Sequence, residues 1–350
     1  MRTTNWTYNL HKFNYFLIAI LFMTNGLKAQ NKSESELFQD GLKNQQSGNY
    51  SEAVKIFNSL ISMSPGNANY WYNRGVAKLQ MNNYGEAVVD LNKCIYLDTA
   101  NTEAYYNRHL AYKFTSNFQF ALADISKFIS YFPNDVESRR SRYALSLQMK
   151  EYEYSEIDAQ WMVQNGIGND TIKVQLLSIF DALKKPNEKL TFLNSELKQN
   201  PDNIKMYYFR AVCHHELEKY EVSNTDLERF LLSEPKNVDA MKLKFENFFL
   251  LKQFEKAIAI IEELIDDNKK NGTYYADYGH LLLQMRNWKE AEKKFTQAIK
   301  MKTDNISYVY LGRGIARYNI GKVGLACQDW ERSVLMGEKN ASKYMEQYCK

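Results

Sequence analysis

The chain has 350 residues, of which 45% are hydrophobic and 14% aromatic, and it contains 15 glycines but only 5 prolines. This composition excludes a disordered or low-complexity chain. The formal net charge is only +4, so the charge balance favours no nucleic-acid partner, and we expect none.

The amino-terminal segment 1–29 is typical of a secretory signal peptide. Arg2, His11 and Lys12 precede an apolar run over 13–23, and a polar segment that ends at Ala29 follows. The apolar run is shorter than the roughly 20 residues that a membrane-spanning helix needs. We therefore expect cleavage after Ala29 and export of the remaining chain to the periplasm, the cell surface or the extracellular space.

Cleavage of residues 1–29 would also change the charge of the protein. The segment contains Arg2, Lys12 and Lys28 and no acidic residue, so the net charge would fall from +4 to +1. Residues 30–33 would then form a short linker. The alternative is an uncleaved segment that tethers the protein to a membrane as an assembly platform, and we expect membrane contact only in that case.

From residue 34 onward, residue types recur at a fixed interval. Gly41, Gly75, His109 and Tyr143 stand at equal intervals of thirty-four positions, and an alanine follows each of the first three after twelve positions. Between these positions the apolar residues recur at helical spacing. A period of this length is typical of a solenoid of stacked helix pairs, so we predict an all-α fold.

Nine repeats of two amphipathic helices account for most of the chain. Their predicted ranges are 34–67, 68–101, 102–135, 136–169, 170–203, 204–237, 238–271, 272–306 and 307–340. Residues 341–350 are predicted to form a capping helix over the last exposed apolar face. One apolar position of each well-formed repeat is predicted to fill the space between helices, namely Phe57, Leu91, Ile125, Leu227, Ile261, Phe295 and Trp330.

The repeats are not equally regular. Mostly small residues stand where the two helices of a repeat meet in segments 34–135 and 204–340. Larger or polar residues take these positions in segment 136–203. In the repeat over 170–203, for example, Leu177 and Lys189 occupy these positions. We interpret 136–203 as degenerate repeats between two more regular segments.

The repeats resemble the tetratricopeptide repeat. The pattern of that family, an aromatic residue followed by Leu-Gly, Tyr, Ala, Phe and Pro, aligns in part with Trp71, Gly75, Lys78, Ala87, Leu91 and Thr99, and again with Tyr275, Gly279, Leu282, Ala291, Phe295 and Thr303. The resemblance implies a right-handed superhelical solenoid of antiparallel helix pairs. It also implies a concave wall, formed by the first helix of every repeat, that holds an extended peptide or a partner helix.

Carried over residue by residue, the groove positions of the family fall on Phe38, Tyr72, Tyr106, Arg140, Tyr208 and Lys242. One helical turn onward stand Leu42, Val76, Leu110, Ala144, Val212, Glu246 and His280. Tyrosine and arginine suit a peptide partner, but the tyrosines equally suit packing between repeats, and both interpretations stay open. We do not expect the groove type that grips a C-terminal carboxylate, because Leu42, Val76 and Leu110 occupy its asparagine position.

Five repeats carry an arginine on the first helix and an aspartate sixteen positions later on the second. The pairs are Arg74 with Asp90, Arg108 with Asp124, Arg142 with Asp158, Arg210 with Asp226, and Arg313 with Asp329. The other four repeats carry neither residue at these positions. Because the two residues are present or absent together, we predict an ion pair between the two helices of one repeat. The alternative is a row of ligand-binding arginines.

No residue pattern indicates catalysis. The segment Cys213–Glu216 (CHHE) is the densest group of metal-type ligands, but successive helical residues point about 100° apart and cannot close on one ion. We expect Cys213 to point inward, its neighbouring histidines to lie at the surface, and the protein to have no metal, cofactor or small-molecule substrate. The alternative is a hidden hydrolase, with 136–203 as the catalytic insert, or an accessory subunit of an envelope enzyme.

Export would place the four cysteines where disulfides can persist. Cys327 lies on the second helix of the last repeat and Cys349 on the predicted cap, so a disulfide between them is expected to attach the cap. Cys94 and Cys213 fall in buried positions of distant repeats, and we expect both to be free. These features together predict an exported, non-catalytic scaffold that binds a protein or peptide partner.

Overall fold

The computed structural model describes residues 32–301, 303 and 305–349. The predicted signal peptide over 1–29 lies outside the described residues, as does part of the linker. The described part of the chain contains nineteen α-helices and no strand. None of these helices combines the length and the apolar character needed to cross a membrane.

The first eighteen helices form nine consecutive pairs, and a single helix follows them. In chain order the helices are α1 Glu34–Gln46, α2 Tyr50–Met63, α3 Ala68–Gln80, α4 Tyr84–Leu97, α5 Thr102–Phe114, α6 Phe118–Tyr131, α7 Val136–Met149, α8 Tyr152–Gln164, α9 Asp170–Ala182, α10 Pro186–Gln199, α11 Ile204–Glu216, α12 Tyr220–Leu231, α13 Val238–Leu250, α14 Phe254–Asp267, α15 Gly272–Gln284, α16 Trp288–Lys300, α17 Ile306–Asn319, α18 Val323–Leu335 and α19 Lys339–Tyr348.

The same tight turn joins the two helices of every pair. Each turn contains one residue in left-handed backbone conformation, and these residues are Gly48, Asn82, Ser116, Lys150, Lys184, Glu218, Lys252, Arg286 and Gly321. Successive members keep the interval of the sequence period until Arg286, after which one extra residue precedes Gly321. The left-handed conformation costs a residue other than glycine roughly 1–2 kcal/mol, so packing of the two helices must hold these turns in place.

The described residues divide into two compact units, one up to residue 179 and one from residue 180 onward, and α9 spans the boundary. Within each unit, the two helices of a pair lie against each other, and in most cases the second helix contacts the first helix of the next pair. First helices also contact one another in successive pairs, as α1 contacts α3 and α15 contacts α17. We call the surface made by these helices within a unit its first-helix wall.

The predicted interior positions form the core of both units. Phe57, Leu91, Ile125, Leu227, Phe295 and Trp330 are completely buried, and Ile261 is 1% exposed. Glycine is required where large side chains cross a first helix. A Cβ at Gly41 would lie 2.8 Å from the Phe57 ring, and one at Gly314 would lie 2.4 Å from Trp330 Nε1.

The all-α fold of stacked antiparallel helix pairs is therefore confirmed. The right-handed superhelix that the resemblance implies stays a prediction, as do the segment boundaries. Helix α17 begins at Ile306, one residue before the predicted start of the ninth repeat, and α19 begins at Lys339, two residues before the predicted cap. Residues 136–199 form helix pairs like those of the other repeats.

Candidate functional site

The structure brings the two members of all five predicted arginine–aspartate pairs together. In each pair the arginine Nε and Nη2 donate to the two carboxylate oxygens at 2.6–2.9 Å. The geometry is bidentate, which aligns the first helix of the repeat with the second. The aspartates are nearly completely buried, so these arginines are engaged inside the protein and poorly placed to bind an external anion.

The same arginines also bind the preceding repeat, a contact that the sequence reasoning missed. Arg74 Nη1 donates to Asn58 Oδ1 at 2.7 Å, and Arg108 and Arg210 make the equivalent bond to Asn92 and Asn194. Each acceptor stands sixteen positions before its arginine, and this regular spacing was the available signal. One guanidinium therefore joins three helices, two from its own repeat and one from the repeat before it.

In two of the four repeats without the arginine, other side chains make this contact. The Tyr278 hydroxyl donates to Glu262 at 2.8 Å, and the Lys294 ammonium lies 4.3 Å from the centre of the Tyr278 ring. In the repeat before it, Lys244 pairs with Glu228 at 3.4 Å. Because Glu262 and Glu228 also lie sixteen positions before their partners, contact with the preceding repeat continues where the arginine is absent.

The aromatic residues of the predicted groove contribute to packing between helices. The Phe38 ring contacts Phe57 and Tyr70, and the Tyr208 ring lies 5.2 Å from the ring of Phe230. All the aromatic groove residues are only half-buried, so each also keeps some exposed surface. The contacts of these aromatic residues within the structure are therefore mainly packing contacts between helices.

Tyr72 and Tyr106 belong to the same packed set. The hydroxyl of Tyr72 accepts a hydrogen bond from Asn107 Nδ2 at 3.2 Å, and burial raises the pKa of Tyr72 to about 12. The Tyr106 ring lies 5.1 Å from that of Phe128, and burial raises the pKa of Tyr106 as well. Both tyrosines are consequently neutral at physiological pH and contribute shape and a hydroxyl group.

The two charged positions of the predicted groove differ from each other. Arg140 on α7 is exposed. Lys242 on α13 is half-buried and faces Asp277 of α15. Burial raises the pKa of the Asp277 carboxyl to about 6, whereas the positive charge of Lys242 lowers it. Glu246 raises the pKa of Asp277 further. The wall of the C-terminal unit thus contains a charged group of residues, 242, 246 and 277.

An open cleft lies between the first helices α1 and α3. It has a volume of about 360 Å³ and is lined by Leu42, Gln45, Gln46, Tyr50, Asn73, Val76 and Gln80. Two of these residues, Leu42 and Val76, belong to the second row of predicted groove positions. None of the lining side chains is charged, and Gln45 Oε1 is buried without a hydrogen-bond partner among the described residues.

The next repeat carries an aromatic pair at the equivalent position. Phe114 and Tyr84 stand exactly one repeat after Gln80 and Tyr50, respectively. The Phe114 ring stacks on Tyr84 with 4.5 Å between the ring centres and 11° between their planes. In the cleft between α1 and α3, Gln80 stands where the next repeat has the aromatic ring of Phe114.

A second cleft, of about 330 Å³, lies in the C-terminal unit. It is lined by Phe180, Asp181, Lys184, Lys185, Pro186, Glu216 and Leu217. Below it, Lys189 is 3% exposed and its ammonium lies 2.6 Å from the Asp181 carboxylate. The lining of this cleft thus contains charged side chains of both signs, and one of them, Asp181, is paired with Lys189.

The Cys213–Glu216 segment is arranged differently from our expectation. Cys213 points inward as predicted, but the surface position predicted for the histidines is wrong for His214, which is 8% exposed. His215 Nδ1 lies 2.6 Å from Asn247 Oδ1, inside a polar network between repeats. Within the described residues, no three His, Cys, Asp or Glu side chains are grouped so as to hold a metal ion.

The C-terminal helix α19 is attached by a disulfide between Cys327 and Cys349. Beneath it, the completely buried Trp330 ring contacts Tyr344 and Tyr348 of α19. Cys94 and Cys213 are free and buried, and burial raises the pKa of both thiols, that of Cys94 to about 11. The free cysteines are therefore poor nucleophiles.

Comparison with known proteins supports the repeat assignment. The tetratricopeptide repeat model matches residues 68–101, and no curated protein matches the sequence. The structure of Naa15/Naa10 bound to HypK-THB is similar with a TM-score of 0.57 at 11% identity, over 90% of this chain and 66% of that chain. This chain thus spans slightly less than two thirds of that relative.

Two further solved structures align with this chain at lower TM-scores. A tetratricopeptide repeat protein from Parabacteroides merdae has 16% identity and a TM-score of 0.34, over 81% of this chain and 98% of that chain. The first repeat domain of Spaghetti (RPAP3), bound to an HSP90 peptide, has 23% identity and a TM-score of 0.33, over 33% of this chain and 93% of that chain. Residues 68–101 therefore match a tetratricopeptide repeat, and the stacked helix pairs give the rest of the described chain a solenoid fold of the same kind.

Proposed function

We propose that this protein is an exported, non-catalytic scaffold that holds a protein or peptide partner against its first-helix wall. The observation that carries the proposal is the open cleft between α1 and α3, because it lies on the wall that the family uses for partners. A wall of helices that are already packed loses little conformational entropy when a partner binds.

The state of the polar and reactive side chains also supports a binding role. The arginines are held in bidentate ion pairs, the groove tyrosines are neutral, and the free thiols are buried with raised pKa values. Apolar, amide and phenol side chains line the first cleft, and none of them is charged. These features suit recognition of a polypeptide better than covalent chemistry.

The similarity to the Naa15/Naa10 structure supports the proposal at the level of fold. That protein is described with a bound protein partner, HypK-THB. Export rests on residues 1–29 alone and is part of the proposal.

Site-specific photo-crosslinking tests this function. A photoreactive amino acid would replace Val76, Arg140 or Val212 on the first helices, and, as matched controls, the exposed Val89 or Ile157 on second helices. We expect adducts to one partner from the first-helix positions and none from the controls. Adducts from the second-helix positions alone would overturn the proposal that the first-helix wall binds.

A further inference from the structure

The outward surface of the second helices is charged in some repeats and apolar in others. On α2, two outward positions one helical turn apart hold Glu52 and Lys55, which form an ion pair at 2.9 Å. On α16, the same positions of the period hold Glu290 and Lys293, which form an ion pair at 2.6 Å. Exposed charged residues of this kind are the usual solvated face of an amphipathic helix.

On α6 and α8 the same two positions are apolar. Phe120 and Ala123 occupy them on α6, and Tyr154 and Ile157 occupy them on α8. Phe120 is 62% exposed, Ile157 is 52% exposed and Tyr154 is 38% exposed. Large apolar side chains that stay exposed on neighbouring elements are typical of an interaction surface.

Helices α6 and α8 lie in the same compact unit, and their first turns are close together. Gln119 Nε2 of α6 donates to Oε1 of Glu151, the residue before α8, at 3.3 Å. One turn beyond the apolar positions, Lys127 of α6 is exposed and Trp161 of α8 is half-buried. We call the following side chains the outer patch: Phe120, Ala123, Lys127, Tyr154, Ile157 and Trp161.

Two aromatic rings of the outer patch are held in place by arginines. The Arg142 guanidinium lies 5.2 Å from the centre of the Tyr154 ring, and the Arg139 guanidinium lies 4.5 Å from the centre of the Trp161 ring. Both arginines are themselves bonded to the buried Asp158. Since the rings are already ordered, little conformational entropy is lost when another surface packs on them.

The outer patch has a basic edge and an acidic edge. Lys127 forms no ion pair with the described residues, and its ammonium lies 4.9 Å from the centre of the Tyr131 ring. Glu153, next to Tyr154, is exposed and likewise has no cationic partner within the described part of the chain. The acidic group stands before the apolar positions of α8, and the basic group stands after those of α6. Such a surface is complementary to a copy of itself rotated by half a turn.

We propose that the outer patch is the interface of a two-fold symmetric dimer of this chain. The axis passes between Ala123 and Ile157, so that Ala123 of each copy meets Ile157 of the other. Because the rotation exchanges the first and third helical turns of the patch, Phe120 meets Trp161 of the second copy. Antiparallel packing of α6 on α8 of the second copy thus covers the exposed rings.

The same rotation brings Lys127 to Glu153 of the second copy, twice in the dimer. This interface lies on second helices, so it goes beyond the scaffold function proposed for the first-helix wall. The patch is small, which places the dimer among the weak interfaces that bury less than about 1,200 Å². We therefore expect a dissociation constant of about 10–100 µM.

Sedimentation velocity of the purified protein tests the dimer at concentrations from about 1 to about 300 µM, which span the expected dissociation constant. Phe120→Ser and Ile157→Ser alter exposed side chains, so circular dichroism and urea unfolding should stay as in the native chain. Each should weaken dimerisation about tenfold or more. Glu290→Lys is the matched control, since Glu290 stands on α16 where Phe120 stands on α6, and it should dimerise like the native chain.

Charge exchange tests the two-fold arrangement. Lys127→Glu would place two glutamates in each contact, and Glu153→Lys would place two lysines there. Each variant alone should therefore dimerise about tenfold more weakly than the native chain. An equimolar mixture of the two variants should recover dimerisation, because each contact then contains one acidic and one basic side chain.

A chain that stays monomeric at the highest concentration would overturn the inference, as would a dimer that Phe120→Ser and Ile157→Ser leave unchanged. A mixture of the charge variants that is no more dimeric than either variant alone would also reject it. Binding of a monomeric chain to phosphatidylglycerol vesicles, lost in Phe120→Ser, would assign the patch to a lipid surface instead. A photoreactive residue at position 157 should give an adduct of two copies of this chain, whose mass distinguishes it from an adduct with a scaffold partner.

Discussion

Removing one partner of the Arg210–Asp226 ion pair should destabilise the C-terminal unit more than removing both. Arg210 Nε and Nη2 donate to the two Asp226 oxygens at 2.8 and 2.7 Å, and the two side chains are 21% and 4% exposed. Asp226→Leu therefore leaves a poorly hydrated cation, and Arg210→Met leaves a buried carboxylate. The double variant leaves neither charge, and its apolar side chains can pack together.

The expected magnitude lies between two known limits. Exposed ion pairs contribute about 0.2–1 kcal/mol, whereas breaking a fully buried pair costs about 3–5 kcal/mol. Since Arg210 keeps about a fifth of its surface exposed, we expect each single substitution to reduce the free energy of unfolding by about 2–3 kcal/mol. The coupling energy of the double-mutant cycle should then be about 3 kcal/mol, so that the double variant loses about 2 kcal/mol, less than the single variants.

The assay combines urea unfolding with amide hydrogen exchange of α11 and α12, because long repeat arrays can unfold in several steps. Glu290 and Lys293 provide the matched control, since they form an ion pair at 2.6 Å with side chains that are 44% and 69% exposed. Their coupling energy should stay below about 0.5 kcal/mol. If the coupling of Arg210 with Asp226 is no larger than that of this control, the stabilising role of the buried pairs is refuted.

Four further predictions concern other parts of the chain. Burial raises the pKa of Asp277 from 3.8 to about 6, so its ionised form is disfavoured in the folded state. Stability from this group should rise as the pH falls from about 6 to 4, and Asp277→Asn should increase the free energy of unfolding at pH 7 by up to about 3 kcal/mol, with a flatter pH profile. Gly314→Ala should destabilise the C-terminal unit by about 1–3 kcal/mol in urea unfolding, because its Cβ would lie 2.4 Å from Trp330; unchanged stability would contradict the close packing there. Cys349→Ser should remove up to about 3 kcal/mol from the stability of α19, with faster hydrogen exchange in that helix, whereas native exchange rates would show that packing alone attaches it. Finally, amino-terminal sequencing of the exported protein should begin at Gln30, and an intact amino terminus would favour the membrane-tethered alternative.

The fold was predictable from the sequence because residues one period apart occupy equivalent positions and pack in the same way. Phe57, Leu91 and Phe295 occupy one position of the period, and all three are completely buried. The five arginine–aspartate contacts followed from the same logic, since two residues at constant separation in equivalent helices meet in the same way each time.

The candidate site was only partly predictable. Leu42 and Val76 were assigned to the groove through the resemblance, and both line the cleft. The amide residues were not anticipated, because a glutamine at the end of an amphipathic helix has no distinctive pattern. The predicted groove tyrosines, such as Tyr72 and Tyr106, mainly pack between helices.

The sequence by itself thus determined the helix pairs, their buried positions and the ion pairs within repeats, because these depend on residues at fixed separations. Tertiary structure alone decided which spaces between successive repeats are filled: Phe114 stacks on Tyr84, whereas Gln80 and Tyr50 line an open cleft. The physical reason is that a period determines which backbones lie side by side. Whether the space between them is filled or open depends on the size of the individual side chains that meet there.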